Sequence, residues 1–137
     1  RYSEELRIFD ASSPALTRQM HVTRSALNRF ASLCKAQQWK CFLPFAPPAF
    51  VAHPQRAKAT FDLVDMNMTQ VDLDRPSQAL AKLPIQGLPK LDLAPLLRAS
   101  TESLYFRFDG HWNTKGHALV AETLAQWLSP LLETSRP

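Results

Sequence analysis

The spacing of apolar residues changes its period along the chain. Between residues 13 and 38, Leu16, Met20, Leu27, Phe30, Ala31 and Cys34 recur at helical intervals, with Thr23 filling a gap. That stripe predicts a helix. Ser13-Pro14 is a good start for it, with serine as the cap and proline at the first helical position. The opposite face carries Arg18, Arg24, Asn28, Lys35 and Gln38, the division expected of an amphipathic helix covering a sheet. The helical period then stops. Cys41, Phe42 and Leu43 form a continuous apolar run closed by Pro44, which is how a buried parallel strand reads. Pro44 has no backbone donor, so this strand should end early or lie where one donor is free.

Pro47-Pro48 turns the chain into a long connection. Residues 51 to 75 show no clear period; Ala57 to Asp65 suits a short helix and the rest suits loop. Arg75-Pro76 opens another short helix, with Leu80 and Leu83 inward and Pro84 and Gly87 stopping it. "LPKLDL", residues 88 to 93, reads as a second short strand, and Ala94 to Ala99 as one helical turn. Leu104, Phe106 and Phe108 alternate with Tyr105 and Arg107, which predicts an extended piece. Asn113 or Thr114 caps a last helix with Val120, Leu124, Trp127, Leu128 and Leu131 on its apolar face. Ser129-Pro130 should break or restart it. Residues 1 to 12 are weakly patterned and read as an N-terminal arm.

Strands alternating with helices argue for an α/β fold with a parallel sheet. Two strands make only part of such a sheet. At 137 residues the chain suits one domain, residues 1–137. Eleven prolines against three glycines point to stiff connections. The net charge of +4 comes from scattered residues, Arg56 and Lys58 among them. They read as solvated helix surface and not as a nucleic-acid face. Cys34 and Cys41 fall on a helix face and at a strand start and read first as small buried apolar residues, with a bridge between them left open. No stretch is long and apolar enough for a membrane span.

The polar chemistry concentrates in "FDGHWNTKGH", residues 108 to 117. In an extended loop, residues i and i+2 point the same way, so Asp109 and His111 project together. A carboxylate beside an imidazole sets its tautomer and stabilises the imidazolium formed when it takes a proton. Gly110 suits a tight backbone between them. The loop follows a strand and precedes a helix, where open α/β folds gather their catalytic groups.

The longer string "LYFRFDGHWNTKGHALVAETLAQWL" resembles the last block of the SGNH/GDSL hydrolases, in the Asp-x-His-Trp-Asn form seen in SGNH-like esterases and in polysaccharide O-acetyltransferases such as those acting on alginate. Upstream, "ALNRFASLCKAQQWKCFLPFAPPAF" is similar to that family's late helix and following strand, and "LPKLDLAPLLRA" to the strand and turn before the catalytic loop. The resemblance covers roughly residues 13 to 132 and is specific only in the final block. It implies a flavodoxin-like three-layer α/β/α domain with a Ser-His-Asp triad acting on an ester carbonyl, without metal or organic cofactor. By position, His111 is the implied base and Asp109 its orienting acid. Trp112, Asn113 and Tyr105 are assigned to shaping the loop or contacting substrate.

The family's nucleophile lies in a Gly-Asp-Ser block at the start of the domain. This chain has none; its first glycine is Gly87, and Ser12, Ser13, Ser25 and Ser32 lie near or on the first helix without a glycine elbow. It also opens on Arg1. The expected account is the C-terminal part of a longer SGNH-like esterase or O-acyltransferase, its N-terminal strands missing and the chain alone inactive. The expected substrate is a small ester or an acetylated carbohydrate. An uncovered sheet edge would invite self-association. Two other readings are a non-catalytic module that binds a glycan or a protein through Tyr105, Phe106 and Trp112, and a metal site made of Asp109, His111 and His117.

Overall fold

A computed structural model describes residues 2–133; Arg1 and residues 134–137 of the expected domain lie outside them. The chain forms α1 (Tyr2–Leu6), a 3-10 turn (Arg7–Phe9), α2 (Ala15–Ala36), β1 (Leu43–Phe45), α3 (Ala49–Ala52), a 3-10 turn (Pro54–Arg56), α4 (Ala57–Asp62) and a 3-10 turn (Met68–Gln70). It continues with α5 (Arg75–Lys82), β2 (Lys90–Asp92), α6 (Ala94–Ala99) and α7 (Thr114–Glu133). Among the described residues the sheet has two strands, paired in parallel, with Leu43 opposite Lys90 and Phe45 opposite Asp92.

Strand β1 lies two residues later than the apolar run suggests and contains Pro44. The ladder explains why that is tolerated. The Leu43 N–H donates to the Pro89 carbonyl at 2.9 Å, and the Phe45 carbonyl accepts from the Leu93 N–H at 3.1 Å. Backbone groups of alternate residues face opposite edges of a parallel strand, so Pro44 presents its donorless nitrogen to the far edge and breaks no bond to β2. The same proline blunts that edge as a template for further pairing.

Helix α2 turns Leu16 and Cys34 into the core and leaves Met20, Thr23, Leu27 and Ala31 half-buried. Phe30 was expected on that stripe but is 41 % exposed, beside exposed Val22 and Leu33. It sits one position off the row that faces the fold. The helix starts one residue later than expected, with Pro14 and not Ser13 at its N-cap and no side-chain cap; the Ser13 hydroxyl accepts the Ala15 N–H at 3.2 Å. The cysteines are not free apolar residues: Cys34 and Cys41 form a disulfide that joins the end of α2 to the approach of β1.

Two apolar clusters share the short helices α3 and α6. One gathers Ala49, Ala52, Leu93, Leu97, Leu104, Tyr105 and Val120, and so joins α3 and α6 to the loop before α7 and to α7 itself. The other gathers Leu6, Phe9, Val51, Ala57, Phe61 and Ala94. In it the rings of Phe9, Phe50 and Phe61 meet edge-on at 5.3–5.8 Å, the preferred geometry for aromatic pairs. The expected N-terminal arm is therefore a packed element, with Leu6 and Phe9 each 5 % exposed.

Charged side chains fasten this small core. The Arg75 guanidinium donates to the carbonyls of Ile8, Asp10 and Ser13 and so ties the first turns to α5. Arg98 grips both carboxylate oxygens of Asp74 and also donates to the Val51 carbonyl. The hydrogen bond to Asp74 raises the Arg98 pKa. Lys90 sends its ammonium to the carbonyls of Leu80, Ala81 and Leu83 at the end of α5, where the helix leaves acceptors unpaired and a cation is favoured. Helix α7 runs past Ser129-Pro130 to Glu133 instead of breaking there. A proline so near the end removes one intrahelical bond with almost no helix left to disturb, and Lys40 caps the Leu132 carbonyl at 3.2 Å.

Candidate functional site

The segment between α6 and α7 doubles back on itself. Leu104 and Tyr105 are both buried, at 2 % and 3 % exposure, so the strict alternation read from the sequence does not hold. The piece is a bent loop stitched by one antiparallel bridge, Tyr105 to Trp112. The Phe106 N–H donates to the His111 carbonyl at 3.1 Å, and the Asn113 N–H to the Leu104 carbonyl at 2.9 Å. Below the bridge, the Tyr105 hydroxyl donates to the Pro47 carbonyl at 3.0 Å, and its ring meets His53 edge-on at 5.4 Å.

Asn113, one of the two expected caps, is the residue that starts α7. Its side-chain oxygen accepts the Gly116 N–H at 3.0 Å, satisfying one of the orphan donors of a helix N-terminus. Its amide nitrogen donates to the Ser103 carbonyl at 2.6 Å. One side chain thus fixes both the helix start and the far arm of the loop. Gly116 is required by the same packing: a Cβ there would lie 2.3 Å from the Leu104 carbonyl oxygen. Gly110 has no such constraint. Its φ is not in the left-handed region and nothing lies within 4 Å of an added Cβ, so the tight backbone expected of it is not what the loop uses.

Asp109 and His111 are brought together. One carboxylate oxygen of Asp109 accepts the backbone N–H of His111 at 2.8 Å and also contacts Nδ1 of its ring. An ionised carboxylate can only accept, so the ring donates from Nδ1, and in the neutral imidazole Nε2 is then the lone-pair nitrogen. The backbone N–H of His111, and after it the ring, hold the Asp109 carboxyl below its ordinary value. The His111 side chain is 85 % exposed, and among the described residues no serine hydroxyl is bonded to it. Ser12 pairs with Asp10 and Ser13 with the start of α2, while Ser25 and Ser32 are exposed on α2.

The other expected residues separate by burial. Tyr105 is core and Trp112 half-buried, with its ring 5.6 Å from His117. Phe106 and Phe108 stand out at 53 % and 91 % exposure. Arg107 lies over the Phe108 ring, 5.0 Å from its centroid. Asp109, His111 and His117 do not converge: among the described residues no group of three potential ligands could hold a metal ion. Sequence reasoning missed Arg56, whose guanidinium donates to the carbonyls of Phe106, at 3.0 Å, and Arg107. It lies about fifty residues away, and nothing local marks it off from the other scattered cations. Beside it a hollow of about 320 Å³ is lined by Pro48, Phe50, Thr60, Arg107 and Asp109.

A carboxylate-oriented imidazole at the entrance to α7 matches the final block of the resemblance, although the loop follows helix α6 and not, as expected, a strand. The family model for the SGNH hydrolase-like domain of acetyltransferase AlgX matches residues 48–136. The chain belongs to this family. The match takes in α3 to α7, and with them the whole Asp109–His111 loop, and starts just beyond β1. As an SGNH-like domain the described residues hold a partial α/β fold with two parallel strands. No curated protein and no solved structure matches the chain. No helix among the described residues is long and apolar enough to cross a membrane.

Proposed function

We propose that this chain carries the base and its orienter for serine-based acyl transfer, with His111 as the base and Asp109 as the orienting acid. The observation that carries the reading is the doubly held Asp109 carboxylate, which leaves Nε2 of an exposed imidazole free. In such a site Nε2 takes the hydroxyl proton of a serine as its oxygen bonds to the acyl carbon. The imidazolium returns that proton to the leaving alcohol, and a second acceptor, water or a sugar hydroxyl, then attacks the acyl-serine with the same help. The sequence of steps needs no metal or organic cofactor. The serine comes from residues beyond this chain, so the chain by itself is inactive. The substrate class is an acetyl ester, small or carried on a carbohydrate, which the family's acetyltransferase description supports. The Cys34–Cys41 disulfide supports an oxidising compartment. Trp112 and Asn113 shape the loop, as Tyr105 does from below.

The test is acetyl-ester turnover by the complete protein. His111→Ala should lower it by roughly 10³-fold or more, as loss of a triad base does. An unchanged rate refutes the assignment. Exposed Phe106 and Phe108 beside His111 favour a second reading, a module that binds an acetylated glycan without turning it over. That reading predicts saturable binding to an acetylated oligosaccharide, equal in the unaltered protein and in His111→Ala, and no turnover by either.

A further inference from the structure

The Asp109–His111 pair sits at the tip of a loop whose two arms are anchored and whose tip is not. The arms are held by buried Leu104 and Tyr105 and by the Asn113 cap. Across residues 106 to 110 the remaining backbone and side-chain bonds run within the loop. Among the described residues, the hydrogen-bonded ties that reach this tip from elsewhere in the chain are the two made by Arg56.

Arg56 is well built to act as a fixed post. It ends a 3-10 turn and is the N-cap residue of α4. The next residue, Ala57, is fully buried, as is Phe61 one turn on. The Thr60 hydroxyl donates to the Arg56 carbonyl at 3.1 Å, so the backbone at the post is held from both sides. Both bonds leave from one guanidinium nitrogen, Nη2, whose two hydrogens are fixed in the guanidinium plane and meet the carbonyls of successive residues, Phe106 and Arg107. An ammonium also carries its hydrogens on one nitrogen, but on a shorter and more flexible stem with no plane to direct them, so it reproduces the clamp only in part.

We infer that Arg56 is a positioning residue for the reaction: it clamps the backbone at Phe106 and Arg107 so that Asp109 and His111 keep the geometry in which Nε2 meets its substrate. The inference rests on the function proposed above. The bonds Arg56 makes to the loop end on backbone carbonyls, so it acts through the loop. A shift of about 1 Å at a catalytic group costs on the order of 10²-fold in rate. A freed tip should therefore lower kcat while leaving KM, which reports contacts made elsewhere, nearly unchanged.

The experiment compares Arg56→Ala and Arg56→Lys in the complete protein, with His111→Ala beside them, by two readouts. Steady-state turnover of an acetyl ester should fall more than 10-fold in kcat for Arg56→Ala at a KM within about twofold, and less for Arg56→Lys. Added guanidinium ion should restore part of the Arg56→Ala rate. The Asp109 carboxyl, followed by carbon-detected NMR titration, should move up towards its ordinary value in Arg56→Ala as its hold on the His111 N–H loosens. Wild-type kcat together with an unmoved Asp109 titration in Arg56→Ala overturns the inference. So does a loss that guanidinium does not restore and that comes with an unmoved titration, because the effect would then be general. If Arg56→Ala does not fold, Arg56→Met, which keeps the aliphatic stem without a donor, carries the same decision: both readouts at wild-type values overturn the clamp. Should His111→Ala turn over normally, the function itself fails, while the titration still decides whether Arg56 holds the loop.

Discussion

Replacing Gly116 by alanine should cost more stability than any helix-propensity scale suggests. Gly116 is buried in the first turn of α7. An added Cβ would stand 2.3 Å from the Leu104 carbonyl oxygen and 2.9 Å from Trp112 Cβ. Neither neighbour is the free end of a flexible side chain, and the oxygen also accepts the Asn113 N–H. To restore ordinary contact distance the helix start must retreat by roughly 1 Å or more, which stretches the Asn113 bonds to Leu104 and Ser103. Overpacking of this kind costs about 1–3 kcal/mol and a weakened cap about 1 kcal/mol. Alanine returns about 1 kcal/mol of helix propensity. The balance is near 2 kcal/mol destabilising, and at roughly 4 °C per kcal/mol for a domain of this size the melting point drops by about 8 °C. Gly110→Ala, with open space around it, is the matched control and should melt with the unaltered chain. Thermal unfolding followed by circular dichroism measures both. If Gly116→Ala melts at or above the wild-type temperature, the close approach described here is wrong.

The Cys34–Cys41 bridge closes a short loop, at a sequence separation of 7, for which the chain-entropy estimate is roughly 2.5 kcal/mol. Reductant should lower the denaturation midpoint accordingly, and an unmoved midpoint would count against the bridge. His53 has a buried Nε2 with no hydrogen-bond partner, and burial, then the nearby Arg56 charge, lowers its pKa below 6.5. The folded state therefore resists a proton that the unfolded chain accepts. Stability is fully present above about pH 6.5 and is lost as pH falls through the lowered folded value. His53→Phe keeps an edge contact with Tyr105 and should flatten the slope of melting temperature between pH 7.5 and 5. Equal slopes in the two proteins would show that His53 is not the source.

Most elements of the fold can be read locally. The stripe from Leu16 to Cys34 and the face from Val120 to Leu131 need only a helical period, and "LPKLDL" needs only its flanks. The misreadings arise where a distant partner decides the outcome. Pro44 leaves two outcomes open, an early end or an edge where no donor is needed, and the position of β2 on its other side decides for the second. Residues 1 to 12 looked unpatterned because five residues of α1 are too few to show a period. Their burial depends on Phe50 and Phe61, far along the chain. The disulfide is unreadable for the same reason: spacing alone does not say whether the end of α2 and the segment before β1 approach, whereas a Cα separation of 6.2 Å does.

The site divides along the same line, and the division says something about its construction. Asp109 with His111 is an i, i+2 contact and Asn113 with Gly116 an i, i+3 contact; both follow from ten consecutive residues. The groups that hold those ten in place lie elsewhere: Pro47 under Tyr105, His53 against its ring, and Arg56 on the loop tip. All three fall within the ten residues from 47 to 56, a stretch with no readable period that the sequence marks only as a proline-rich connection. A stiff connection is what such a support needs. Proline restricts the backbone before any contact forms, so less conformational entropy is lost when the connection docks beneath the loop. The prolines that obscure secondary structure between β1 and α4 thus have a physical reason to be there: they stiffen the bed on which the Asp109–His111 loop rests.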